Sequence, residues 1–145
     1  MRACRVYTPM RILIALVVLA GTLAGVSASV AASTTAPAIR YQDARFGAIL
    51  ATPAKQALYF WNDEKRAKGK ILCTGSCAEA WPPLYAKGAV PTHLAGIKGT
   101  FASVRRPDGK RQVTFDGLAV YTYAHEGPKQ VLCDNVGGWF VVRLR

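Results

Sequence analysis

Two glutamates, a Cys-x3-Cys pair and a recurring set of tyrosines and tryptophans carry the chemical options of this sequence. Glu64 and Glu126 close two related strings, Tyr59-Phe-Trp61-Asn-Asp-Glu64 and Tyr121-Thr-Tyr123-Ala-His-Glu126. Two carboxyl groups at a suitable separation are the working pair of a glycoside hydrolase. That use needs an apolar pocket to raise one pKa, and Glu64 lies between Asp63 and Lys65 in a charged stretch, so a capping or turn-closing role is expected. His125 adjoins Glu126 in a polar turn, where a solvated imidazole is expected. Tyr59 and Trp61, like Tyr121 and Tyr123, stand two apart and so share one strand face. They either fill a small β core or, turned outward with Glu64 and Glu126, make a platform for a sugar ring or an apolar ligand.

Cys73 and Cys77 are expected to close a disulfide that pins a short helix to the end of a hairpin. The alternative is thiol exchange, with a Cys77 thiolate favoured at the helix N-terminus, although neither x3 spacing nor the absence of a βαβ pattern suits that chemistry. Cys133 makes the count odd once Cys4 is removed: it stays free, pairs between chains, or bridges to Cys73 or Cys77 and ties two units together. With His93 or His125 the thiols would offer a metal set. No cofactor is expected: a Ser-His-Asp set, a Gly-rich phosphate loop and a metalloprotease helix are all missing from the motifs legible here.

These residues sit on an internal repeat. Ala57–Pro83 and Ala119–Leu144 align so that Tyr59 matches Tyr121, Glu64 matches Glu126, Ile71-Leu-Cys73 matches Val131-Leu-Cys133, and Trp81 matches Trp139. Such a repeat implies two similar units around one core. Phe46–Thr52, a turn at Pro53–Gln56 and Ala57–Trp61 read as a hairpin. Ser76-Cys77-Ala78-Glu79 has the form of a capping box opening a helix that Pro82 and Pro83 stop near Trp81. The second unit holds Thr100–Arg105 and Lys110–Phe115 around Arg106-Pro-Asp-Gly109, an Asp116-Gly117 turn, and strands at Leu118–Tyr123 and Trp139–Leu144. The expectation is a mainly β, compact small domain of two related β-hairpin repeats with one short helix after the Cys-x3-Cys.

Residues 1–32 read as a secretory signal peptide: a basic start with Arg2, Arg5 and Arg11, an apolar run over Ile12–Val26, and small residues before Ser29 or Ser33. That run is too short for a membrane span of ~20 residues, so no transmembrane segment is expected in the mature chain. Val26 stands where a lipid-attachment box would need cysteine, so a periplasmic or extracellular protein without a lipid anchor is expected. Residues 33–40 read as a flexible lead and 41–145 as the domain, with repeats at about 44–86 and 99–145. The whole chain has a formal net charge of +11. Without residues 1–32 sixteen basic residues face eight acidic ones. Such a surface favours an anionic envelope polymer or an envelope protein as partner, with no dedicated nucleic-acid module visible. Lys65, Arg66, Lys68 and Lys70 form one candidate polyanion contact, and Arg105, Arg106, Lys110 and Arg111 a second.

Leu58-Tyr-Phe-Trp-Asn-Asp-Glu64, Cys73-Thr-Gly-Ser-Cys77-Ala-Glu-Ala-Trp81-Pro-Pro83 and Arg106-Pro-Asp-Gly-Lys-Arg-Gln-Val-Thr-Phe-Asp-Gly117-Leu-Ala-Val-Tyr121 together resemble the secreted repeat of a group of bacterial predicted lipoproteins with a Tyr-x-(Phe/Trp/Tyr)-x-x-Asp motif. The resemblance covers about Phe46–Val142. It implies an envelope location and a fold but no activity, since the family has none established. This chain departs from it with Glu64 and Glu126 in place of Asp, with Cys133 in the second repeat, and with no lipid cysteine. The function expected is an exported, non-catalytic binding or structural module; the alternatives are a cysteine-based redox or metal-handling envelope protein and a polyanion-binding surface protein.

Overall fold

The computed structural model describes residues 36–145, so the expected signal peptide lies outside the described residues. The chain is mainly β, with strands β1 (Ile39–Asp43), β2 (Gly47–Ala51), β3 (Tyr59–Trp61), β4 (Phe101–Arg105), β5 (Arg111–Phe115), β6 (Leu118–Ala119) and β7 (Trp139–Val141). Two short helices, α1 (Asn62–Arg66) and α2 (Ser76–Ala80), follow β3.

Each repeat opens with an antiparallel hairpin. In β1–β2, Asp43 turns the chain by accepting from the backbone N–H groups of Arg45 and Phe46 at 2.8 and 3.0 Å. In β4–β5 the Pro-Asp-Gly bend does the same work, with Arg106 N–H donating to Lys110 O at 2.8 Å and Gly109 N–H to Arg106 O at 2.9 Å. Ile39 and Arg40, assigned to the flexible lead by composition, belong to β1, and Ala38 beside them is buried.

The two repeats meet at Tyr59 and Tyr121, which exchange both backbone hydrogen bonds at 2.8 and 2.9 Å. Outside that pair, each tyrosine strand takes its second neighbour from the other repeat. β3 pairs with β7, Trp61 opposite Trp139. The 121–124 segment pairs with 80–83, through Thr122 N–H to Pro82 O at 2.9 Å and Ala124 N–H to Ala80 O at 3.0 Å. The exchange continues outward. Residues 84–86 bind β5 through Val113 N–H to Leu84 O and Ala86 N–H to Arg111 O, at 2.8 and 2.9 Å. Residues 142–144 bind β2 through Leu50 N–H to Val142 O and Leu144 N–H to Ala48 O, at 2.9 and 2.8 Å. The tail of each repeat thus completes the hairpin of the other.

This interlocking revises the expected hairpin between 46–52 and 57–61. β2 takes its register from β1, and the expected hairpin forms only next to its turn, through Thr52 N–H to Gln56 O at 2.8 Å, the Ala51–Ala57 bridge and Leu58 N–H to Leu50 O at 3.0 Å. From Tyr59 onward the strand is claimed by Tyr121 and β7 instead.

Neighbouring residues of these strands point to opposite faces and feed two cores. Ile49, Tyr59, Tyr121 and Val141 enter one, with Trp81, Trp139, Cys73 and Cys133. Leu50, Leu58, Val120 and Val142 enter the other, with Phe101, Val113 and Phe115. At roughly 1.5–3 kcal/mol for each large apolar side chain fully buried, both faces of the central strands contribute to stability.

The sequence pointed to one helix, and α1 is an addition to it. Asp63 and Glu64 lie in its first turn and Lys65 and Arg66 in its last, the order that suits the helix dipole. It ends where Gly69, at φ +82°, passes so close to the Asp116-Gly117 turn that a Cβ would stand 2.7 Å from Gly117 O. The capping box expected at α2 does not form: Gly75, at φ 55°, takes the cap position, Ser76 becomes the first helical residue and no side chain caps the end. Gly75, at φ 55° and ψ −131°, holds a backbone conformation that favours glycine, and with it as the cap the helix starts at Ser76, one residue earlier than a serine cap would place it.

Candidate functional site

The two motif pairs are built across the repeat boundary. Because Tyr59 and Tyr121 lie side by side and antiparallel, each ring is carried toward the acid of the other repeat. Tyr59 OH donates to Glu126 Oε1 at 2.5 Å, and Tyr121 OH donates to Glu64 Oε1 at 2.8 Å. The same carboxylate oxygens hold the cysteine segments. Glu64 Oε1 accepts from the N–H groups of Leu72 at 2.8 Å and Cys73 at 3.0 Å. Glu126 Oε1 accepts from Leu132 N–H at 2.6 Å. All four side chains are buried: Tyr59 and Tyr121 are 0% exposed, Glu64 1% and Glu126 5%. Glu64 lies inward of its charged neighbours, because one turn of α1 rotates it to the core while Asp63 and Lys65 stay outside.

Electrostatically the two pairs differ. On the Glu64 side lies the buried guanidinium of Arg106, which donates to Cys73 O at 2.6 Å and to Gln112 Oε1, and stands 3.5 Å from Tyr121 OH. Gln112 Nε2 in turn donates to Val120 O at 2.8 Å. Among the described residues no cation is bonded to Glu126, and burial pushes its carboxyl up to about 7, against smaller opposing effects of Tyr59 and Leu132 N–H. Both phenols are raised, chiefly by burial and then by their glutamate partners. Glu64 Oε2 and Glu126 Oε2 are buried without a hydrogen-bond partner among the described residues. Carboxyl groups so placed can accept from a phenol and from backbone amides; neither is directed at an open cleft.

Around these pairs the indoles and remaining aromatics form a ladder. Trp81 and Trp139 stack at 4.0 Å between ring centroids, Trp61 stacks on Trp139 at 5.4 Å, and Tyr123 packs on Trp81 at 4.8 Å. Tyr59 and Tyr121 meet Trp81 and Trp139 edge-on at 5.3 and 5.1 Å. The equivalent residues of the two repeats thus occupy equivalent places about an approximate dyad. Trp61 is half-buried and donates from Nε1 to Gly137 O at 3.2 Å, while Tyr123 is buried. Of the six residues proposed for a ligand platform, Tyr59, Trp61, Glu64, Tyr121, Tyr123 and Glu126, five are core and only Trp61 retains substantial exposure.

Cys73 and Cys77 form a disulfide between the end of the 71–73 segment and α2. Cys73 is a junction: its N–H is held by Glu64, its carbonyl by Arg106 and its sulfur by Cys77. Cys133 occupies the matching place in the second repeat and is fully buried. Among the described residues no cysteine is free, in contrast to the odd thiol that counting suggests. His93 and His125 are exposed, and no three His, Cys, Asp or Glu side chains among the described residues are gathered as a metal would require.

Lys65, Arg66, Lys68 and Lys70 are exposed around α1, with Arg66 paired to Asp63 at 3.4 Å. Arg105, Lys110 and Arg111 are exposed at the β4–β5 hairpin, but Arg106 is not available to a polyanion. It follows Arg105 into the turn, where its side chain swings to the inner face and joins Gln112 and the Cys73 carbonyl. Arg106 and Gln112 are the buried polar residues that sequence reasoning missed as parts of the core. The alternation of β5 points the other way, since it groups Gln112 with Thr114 opposite the apolar Val113 and Phe115, although both faces are buried.

No helix among the described residues is long and apolar enough to cross a membrane. No family model, no curated protein and no solved structure matches this chain.

Proposed function

We propose that this chain is an exported, non-catalytic binding or structural module of the cell envelope, related to the secreted repeat of the Tyr-x-aromatic-x-x-Asp lipoproteins. The observation that carries the reading is the crossed pair Tyr59–Glu126 and Tyr121–Glu64. The motif residues with acid–base capacity are engaged with each other and with the backbone, so the motif acts as the joint between repeats. A glutamate in place of the family's aspartate supports this use, since the longer side chain spans from α1 to the N–H groups of Leu72 and Cys73. Thiol exchange is less well supported, because Cys73 is fully buried and bonded on both sides. Function is left to the outer surface, where the excess of basic residues favours anionic envelope material.

The test is fractionation of cells expressing the full chain, with mass and N-terminal sequence of the product and co-sedimentation with isolated envelopes. A product beginning at Ser29 or Ser33, recovered outside the cytoplasm and sedimenting with envelopes, is expected. A cytoplasmic product that retains residues 1–32 would sink the reading.

A further inference from the structure

The end of the β4–β5 hairpin breaks a local rule. Arg105 and Arg111 are directly opposite each other across the antiparallel pair, both exposed, and like charges so placed are destabilising. No carboxylate relieves them: the ion pairs among the described residues are Arg66–Asp63, Arg106–Asp108 and Arg143–Asp134. Asp108, the acid in this turn, is already engaged by Arg106 Nε at 3.7 Å, Lys110 N–H at 2.9 Å and Tyr85 OH at 3.2 Å.

Arg111 is also held in place. Its Nε and Nη2 donate to Ser103 Oγ at 3.0 and 2.6 Å, a neutral partner that fixes the guanidinium without cancelling its charge. It stands where two open depressions of about 400 and 540 Å³ adjoin, both running along the 85–92 segment and sharing Gly88 and Arg111. Lys110 lies over the Tyr85 ring at 5.0 Å on one rim, and Lys87 is exposed on the segment opposite.

We infer that this groove is the binding surface of the module and that it takes an extended polymer bearing tetrahedral oxyanions, phosphate or sulfate esters. Such a group offers enough oxygens to accept from the Arg111 fork and from Lys110 on the same rim at once, while the Arg105 guanidinium, which lies toward Gly109, adds its charge to the patch; a carboxylate matches one fork. The open, shallow floor suits a flexible chain rather than a small enclosed ligand. The inference rests on the binding-module reading and narrows it to one surface and one ligand chemistry.

Anisotropy titration of the exported protein with labelled inorganic polyphosphate, a sulfated polysaccharide and a polyuronate, at several salt concentrations, tests it. Arg105→Gln with Arg111→Gln is compared with the charge-matched pair Lys68→Gln with Lys70→Gln. Loss of both arginines is expected to weaken phosphate or sulfate polymer binding by roughly tenfold or more and to flatten the slope of log K against log salt by about 1.4, at ~0.7 per charge removed. The lysine pair is expected to change affinity by less than about threefold. Preference for one polymer identifies which ester is read. Equal losses from the two variant pairs, equally tight polyuronate binding, or no binding to either ester polymer overturns the inference. Envelope co-sedimentation of the same proteins is scored separately: if it persists in both variants, the module reading stands and this surface does not.

Discussion

Tyr59 and Tyr121 are hydrogen-bonded to each other through their backbones and to each other's glutamates through their side chains. The arrangement couples strand pairing to side-chain chemistry: a slip of one residue at this joint would turn both phenols out of the core. It makes the joint the most informative place to perturb.

Tyr59→Phe removes one donor from Glu126 and leaves Leu132 N–H in place. We expect a loss of about 1–3 kcal/mol, larger at pH 8 than at pH 5, because the bond to an ionised carboxylate is the stronger one. The midpoint of Glu126 should rise, since the Tyr59 bond holds it down. Urea unfolding across pH measures both. Equal losses at the two pH values would mean that Glu126 does not change charge between them.

Glu126 gives the fold a pH dependence of unusual sign for a carboxylate. Its folded pKa, about 7, lies above its ordinary value of 4.5, so the native state binds the proton more tightly than the unfolded chain. Its contribution is therefore most favourable below about pH 4.5 and declines as pH rises to about 7, by on the order of 2–3 kcal/mol. Glu126→Gln keeps an acceptor without the charge. The variant should match the parent near pH 5, exceed it at pH 8, and lose this part of the slope in denaturation midpoints.

Arg106 should be intolerant of replacement. Arg106→Met leaves Cys73 O and Gln112 Oε1 without their buried donor, and we expect a loss of about 3–5 kcal/mol. Arg105→Met, one residue away and exposed, should change stability by less than about 0.5 kcal/mol. Thermal unfolding of the two variants separates a structural arginine from a surface one, and similar midpoints would contradict the assignment.

Gly69 and Gly75 both have positive φ but differ in space. A Cβ at Gly69 would meet Gly117 O at 2.7 Å, whereas nothing lies within 4 Å at Gly75. Gly75→Ala should therefore cost roughly 1–3 kcal/mol for backbone strain alone, and Gly69→Ala more, since the clash adds to the strain. Denaturant midpoints that reverse this order would show that the 69–117 approach relaxes freely.

Much of the fold was legible because residues recur. The alignment of Tyr59 with Tyr121 and Trp81 with Trp139 marks the two units, and Pro-Asp-Gly and Asp-Gly mark two turns. The exchange of strands was not legible, since the alternation of Tyr59 and Trp61 says which face is buried but not whether β2 or β7 lies beside them. The burial of Glu64 was not legible because its neighbours are charged, and only the rotation of α1 separates it from them. Arg106 and Arg105 are alike in sequence, and the turn alone sends one inward.

The crossing of the tails has a consequence for what counts as a whole molecule. Residues 84–86 complete β5 and residues 142–144 complete β2, so neither half can close its own edges, and the segment 87–100 decides whose half is used. With that segment long enough, both halves come from one chain. Cut too short, the same hydrogen bonds remain available only between two chains, and the monomer becomes an intertwined pair.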